Sequence, residues 1–210
     1  MVKSIFYEEL LAMQDLEYRD FTINLIPNIP ANKIIGVRTP ILRNYAKTLY
    51  RQRMPEVEKF LSSLPHAYYE EDNLHAFLLE QVKDLDSLFA YTEAFLPHID
   101  NWATCDSFSP KLFKQQPERV LEKIHKWIRS DKEYVVRYAI GLLLAHYLDE
   151  DFDPRHLELV ASVNPDKYYV HMMIAWYFSF ALIKQFDATL PYLEKRVLDP
   201  RTHNKAIQKA

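Results

Sequence analysis

Between Ile99 and Asp106 the chain reads Ile-Asp-Asn-Trp-Ala-Thr-Cys-Asp, which places Trp102 and Asp106 four residues apart. On a helix that spacing sets an indole plane and a carboxylate on one face, one turn from each other. An anion beside an aromatic face can stabilise a positive charge that develops during a reaction. Pro110, four residues further on, has no N–H to offer the Asp106 carbonyl, so a kink is expected there with that carbonyl left available. The same spacing also suits plain packing, with Trp102 in a core and Asp106 capping a helix or paired with an arginine. The residues alone leave both readings open. Cys105 lies within this stretch, but a nucleophilic thiol needs a histidine or a helix terminus to lower its pKa, so it reads as a small buried side chain.

Composition excludes most other chemistries. Gly36 and Gly141 are the only glycines among 210 residues, which rules out a dinucleotide-binding GxGxxG loop, a Walker loop, a GxSxG elbow and an EF-hand. No nucleotide cofactor is therefore expected. A single cysteine rules out an internal disulfide and a multi-thiolate metal site, and it suggests a reducing compartment. Eight histidines without an HExxH or similar close pair give no metal site. The N-terminal stretch MVKSIFYEELLAMQD has acidic residues inside its apolar run and does not read as a signal peptide. No window approaches the roughly 20 apolar residues of a membrane span. These features describe a soluble, cytoplasmic protein with no membrane partner, and they say nothing of its oligomeric state.

The net charge of −3 is a poor start for binding a polyanion, but the charge is segregated. Residues 36–65 hold six basic and two acidic side chains, residues 101–148 eight and five, and residues 167–210 seven and three. Acidic blocks separate them, the strongest being residues 66–100 with one basic and eight acidic side chains. Three basic blocks brought to one face would give a positive groove on a slightly acidic protein. Charges that merely solvate outer helix faces give the same counts.

The elements that must position these residues are helical, since tight hairpins usually rely on glycine. An opening helix is expected to about Arg19, with Ile5, Phe6, Leu10, Met13 and Leu16 on its apolar face. Pro27 and Pro30 then force extended backbone. Thr39 and Pro40 read as a capping hydroxyl and a first-turn proline. The helix after them buries Leu42, Tyr45, Ala46 and Leu49 and carries Arg43, Lys47 and Arg51 as a basic stripe. Further helices are expected at about 66–83, 86–97, 101–115, 118–129, 132–148, 154–162, 166–185, 188–197 and from 201 onward. Asp131-Lys132-x-Tyr134-Val135 recurs as Asp166-Lys167-x-Tyr169-Val170, and a repeat of that length made of two helices marks an α-solenoid. No linker divides the chain, so one domain over residues 1–210 is expected.

Four motifs occur in order: Gly36-Val37-Arg38-Thr39-Pro40 with Arg43, Ala46 and Lys47; Asp100-Asn101-Trp102 with Asp106-Ser107; Lys126-Trp127-Ile128 with Ser130-Asp131, Arg137 and Ala139-Ile140; and Ile174-Ala175-Trp176. Together they resemble the AlkD-type DNA alkylation repair family over about residues 36–210. The resemblance implies an all-α, single-domain solenoid of HEAT-like antiparallel helix pairs with a concave groove for alkylated double-stranded DNA. It further implies an N-glycosylase for cationic N3- or N7-alkylated purines that does not flip the lesion into a pocket. By position, Asp106 becomes the catalytic carboxylate, while Trp102 and Trp176 lie against the deoxyribose and backbone and Arg137 holds the phosphodiester. Arg43, Lys47 and Lys111 become backbone contacts. A cationic base leaves without a general acid, so one carboxylate and a few aromatics suffice. Two other readings remain at this point. One is a non-catalytic binder of damaged or branched DNA. The other is a protein-interaction solenoid, favoured if Glu70, Glu71 and Asp72 line the groove in place of the basic residues.

Overall fold

Asp15 divides the first apolar stretch. Its carboxylate accepts the Tyr18 N–H at 2.9 Å, and its own N–H donates to the Gly36 carbonyl at 2.8 Å. The single opening helix expected from periodicity is therefore two, α1 (Tyr7–Ala12) and α2 (Leu16–Leu25). The break resets the helical phase, so Phe6 and Leu10 enter the core while Ile5 and Leu16 stay exposed. The computed structural model describes residues 3–210. Among them it is all-helical, with fourteen α-helices and two 3-10 turns, Ala31–Lys33 and Leu96–His98.

The next helix, α3 (Thr39–Gln52), starts with Pro40 in its first turn, as expected. Thr39 lies inside the helix, and its hydroxyl meets the Tyr18 hydroxyl at 3.3 Å instead of capping. Leu42, Ala46 and Leu49 face the core. Tyr45 is half-buried and donates its hydroxyl hydrogen to Glu9 at 2.8 Å. Only Arg53 separates α3 from α4 (Met54–Leu61), a helix not among those expected from the sequence; its buried face is Val57, Phe60 and Leu61.

At the centre lies α5 (Tyr69–Leu79), all eleven residues of which are buried. It packs against α3, α4, α6 (Leu85–Phe95) and α7 (Trp102–Ser107). Contacts on every side explain why it has no exposed face. The helix expected over residues 101–115 breaks instead of kinking: residues 108–110 are non-helical, and α8 (Lys111–Lys114) follows. Pro110 disfavours helical geometry at Ser109.

Two compact units result, one ending at Phe113 and one beginning at Lys114. The second holds α9 (Pro117–Trp127), α10 (Glu133–His146), α11 (Pro154–Ala161), α12 (Tyr168–Lys184), α13 (Phe186–Glu194) and α14 (Pro200–Lys209). Short connections pack α9 on α10 and α11 on α12, and α12 is central, touching α10, α11, α13 and α14. Its core includes Val120, Ile124, Ala139, Leu143, Leu157, Val160, Tyr177 and Phe178, each fully buried. The sequence echo lies at the starts of α10 and α12, where Lys132 and Lys167 hold equivalent positions just before each helix. The Tyr134 and Tyr169 rings meet at 5.6 Å, and the Tyr169 N–H donates to Glu133 at 2.8 Å. These contacts make the echo a structural repeat, two helix pairs stacked side by side.

Candidate functional site

Helix α7 is only six residues long, too short to hold itself in place. A polar network, buried at Asn73, Asn101 and Thr104, fixes its first turn. The Asn101 side-chain oxygen accepts the Thr104 N–H at 2.8 Å, the Thr104 hydroxyl donates to Asn73 of α5 at 2.8 Å, and Asn28 donates to the Asp100 carbonyl at 2.8 Å. The last turn is held from α3 and α5. Arg43 donates to the Ser107 carbonyl at 2.8 Å and pairs with Glu80, whose other oxygen accepts the Ser109 N–H at 3.1 Å. The Arg43 guanidinium also lies 3.9 Å from the centre of the Phe77 ring.

Held at both ends, α7 presents Trp102 and Asp106 one turn apart, each partly exposed. Trp102 packs on the cluster of Ile26, Ile29, Ile34 and Tyr69. The indole is thus backed by core on one side, and Asp106 is half-buried. That arrangement joins the two readings of the motif, since the tryptophan is both a packing residue and a partly open aromatic face. Cys105 is fully buried, as expected of an inert thiol.

Arg43, expected on the DNA backbone, makes its contacts to Glu80 and Ser107 within the fold while 35% of its side chain stays exposed. Lys47 and Lys111 are exposed. Arg137, expected on a phosphodiester, is 5% exposed and donates to the Tyr169 carbonyl at 2.8 Å, tying α10 to the start of α12. Trp176 lies on the half-buried face of α12, edge-on to Phe180 at 6.2 Å. Lys209 of α14 places its ammonium 5.9 Å from the centre of the Trp176 ring. Trp102 and Asp106 belong to the first unit, Arg137 and Trp176 to the second.

The acidic run in α5 does not form a surface. Glu70 is fully buried and accepts the N–H groups of Ile35 at 2.8 Å, Gly36 at 2.7 Å and Val37 at 3.4 Å. Glu71, 1% exposed, accepts those of Ala67 at 2.9 Å and Tyr68 at 3.1 Å. Burial pushes the Asp72 carboxyl well above the usual range, and the charges of Asp100 and Glu71 add to this. The acidic lining that a protein-interaction solenoid called for is therefore not formed by these three. Among the described residues, no group of three or more His, Cys, Asp or Glu side chains could hold a metal ion, and no helix is long and apolar enough to cross a membrane.

Sequence reasoning missed Glu80 and Lys209. Glu80 is 37 residues from Arg43, and no local pattern links them. Lys209 has a visible signal, the spacing of Arg201, Lys205 and Lys209 every four residues, but only the packing of α14 on α12 gives that spacing a location. No curated protein matches the chain. The model of one family, DNA alkylation repair enzyme, matches residues 8–209. With the motifs around Trp102, Asp106, Arg137 and Trp176 all inside the matched span, the chain belongs to the DNA alkylation repair enzyme family.

Proposed function

We propose that the protein is a DNA N-glycosylase that releases cationic N3- and N7-alkylated purines from duplex DNA without flipping the lesion into a pocket. The observation that carries this reading is α7, anchored at both ends and setting half-buried Asp106 one turn from a core-backed indole. Cleavage of the C1′–N bond sends the bonding electrons to the base, which leaves neutral, and positive charge develops on the sugar. A carboxylate at Asp106 stabilises that charge and orients the water that adds to C1′, whose proton passes to solvent. The alkylated base supplies the driving force, so the protein needs no general acid.

Trp102 is assigned to the sugar beside Asp106, and Trp176 to the duplex backbone. Lys47 and Lys111 are assigned to phosphates. Arg43 and Arg137 act by holding other elements: Arg43 fixes the end of α7, and Arg137 fixes the start of the helix that carries Trp176.

The test is release of N7-methylguanine from duplex DNA by wild type and by Asp106→Asn. Loss of a group that stabilises transition-state charge costs on the order of 100- to 1,000-fold in rate, so the variant is expected to fall by that much while still binding DNA. Wild-type protein that yields no more abasic sites than Asp106→Asn overturns the proposal. Salt-dependent DNA binding without base release would then favour a non-catalytic binder.

A further inference from the structure

Helix α14 runs Pro-Arg-Thr-His-Asn-Lys-Ala-Ile-Gln-Lys, and no acidic residue lies between positions 200 and 210. Its cations recur every four residues, at Arg201, Lys205 and Lys209, so they form one stripe along the helix. The adjoining side, about 100° round the helix, docks on α12 through buried Thr202 and Ala206. The Thr202 hydroxyl also meets His171 Nδ1 at 2.8 Å, fixing the rotation of α14 about its axis. That docking sets the start of the stripe beside His171 and brings its end to Trp176 of α12, with the Lys209 ammonium 5.9 Å from the indole centre.

The three cations are not equivalent. Arg201 is paired with Asp199 at 3.2 Å. Lys205 is half-buried and its ammonium donates to Gln208, a neutral partner, at 2.8 Å. Lys209 is exposed. The positive field reaches α12: His171 is held below the ordinary imidazole range by burial first, with Arg201 and Lys205 adding to the effect and Asp199 opposing it.

We infer that α14 is a phosphate-binding element, with Lys205 and Lys209 contacting the backbone of the duplex on the Trp176 face. This inference rests on the reading of Trp176 as a residue that lies against duplex DNA. An ammonium beside an indole can neutralise a phosphate while the ring packs on the adjoining sugar. Neither lysine would contact a base edge, so the contribution should be the same for every sequence and for undamaged DNA.

The experiment measures binding of an undamaged duplex oligonucleotide by fluorescence anisotropy across a salt series, for wild type, Lys205→Ala/Lys209→Ala and Lys205→Arg/Lys209→Arg. Each phosphate contact contributes about 0.9 to the slope of log affinity against log salt. The alanine pair is therefore expected to flatten the slope by about 1.8, and the arginine pair to restore it. Base release is measured on the same preparations. Equal slopes for wild type and the alanine pair overturn the inference, whether or not base is released. The expected slopes in a wild type that releases no base sustain it and overturn only the glycosylase reading. A wild type that does not bind duplex overturns both.

Discussion

At the scale of single residues, Gly36 is the most constrained position in the first unit. Its φ of +95° lies where only glycine sits without strain. A Cβ there would lie 2.4 Å from the Arg19 Cβ and 2.7 Å from the Asp15 carbonyl. The close approach has a purpose, because the Gly36 N–H reaches buried Glu70 at 2.7 Å while its carbonyl accepts the Asp15 N–H. One glycine thus joins the start of α2, the segment leading into α3 and the central helix α5. Gly36→Ala combines left-handed strain with a backbone clash and is expected to cost about 3 kcal/mol. Urea unfolding of the variant reads this directly, and a loss below about 0.5 kcal/mol, the range of ordinary surface changes, would refute it. The sequence shows Gly36 as one of only two glycines but not its partner: Glu70 is 34 residues away, in a run that reads as solvated acid. Only enclosure of α5 on all sides turns those acids inward.

At the scale of elements, legibility follows how local the cause is. Asn101 caps α7 and Pro40 opens α3, and both signals lie within a turn of their effects. The site motif was readable for the same reason, since Trp102 and Asp106 need only helical spacing to share a face. What holds α7 in place was not readable, because Asn73, Arg43 and Glu80 come from other helices. The approach to α5 carries a pH dependence of similar origin. His66 Nε2 and His75 Nδ1 are 2.9 Å apart, with His66 stacked on Phe60 and His75 on Phe95. Burial holds His66 down at about 4 and His75 well below the ordinary imidazole value. In the unfolded chain both titrate near 6.5. Between those values the unfolded chain binds more protons, so the stability is fully present above pH 6.5 and is lost as pH falls toward 4. For His66 alone the loss is about 3 kcal/mol. Urea midpoints measured from pH 7 to pH 4 should fall accordingly in wild type and less steeply in His66→Gln/His75→Gln. An equal slope in the double variant would assign the acid sensitivity to other groups.

At the scale of the whole molecule, the net charge of −3 has to be reconciled with a polyanionic partner. Part of the answer is burial: Glu70 and Glu71, counted in the most acidic block, are spent on backbone N–H groups and are absent from the surface. The rest concerns which charges respond to pH. Five of the eight histidines, His66, His75, His146, His156 and His171, are held below the ordinary imidazole range, with burial the first cause in each. Acidification from pH 8 to pH 6 therefore charges these five less than it would ordinary imidazoles, while the lysines and arginines available to phosphate stay charged throughout that range. Affinity for duplex DNA should thus depend on salt far more than on pH. At fixed salt it is expected to change less than about 3-fold between pH 8 and pH 6, whereas raising salt from about 50 to 200 mM should weaken it on the order of 1,000-fold if six or more phosphates are neutralised. Anisotropy titrations over a grid of pH and salt make the comparison. A tenfold tightening on acidification at constant salt would show that titrating histidines, and not the lysine and arginine blocks, supply the field that draws the protein to DNA.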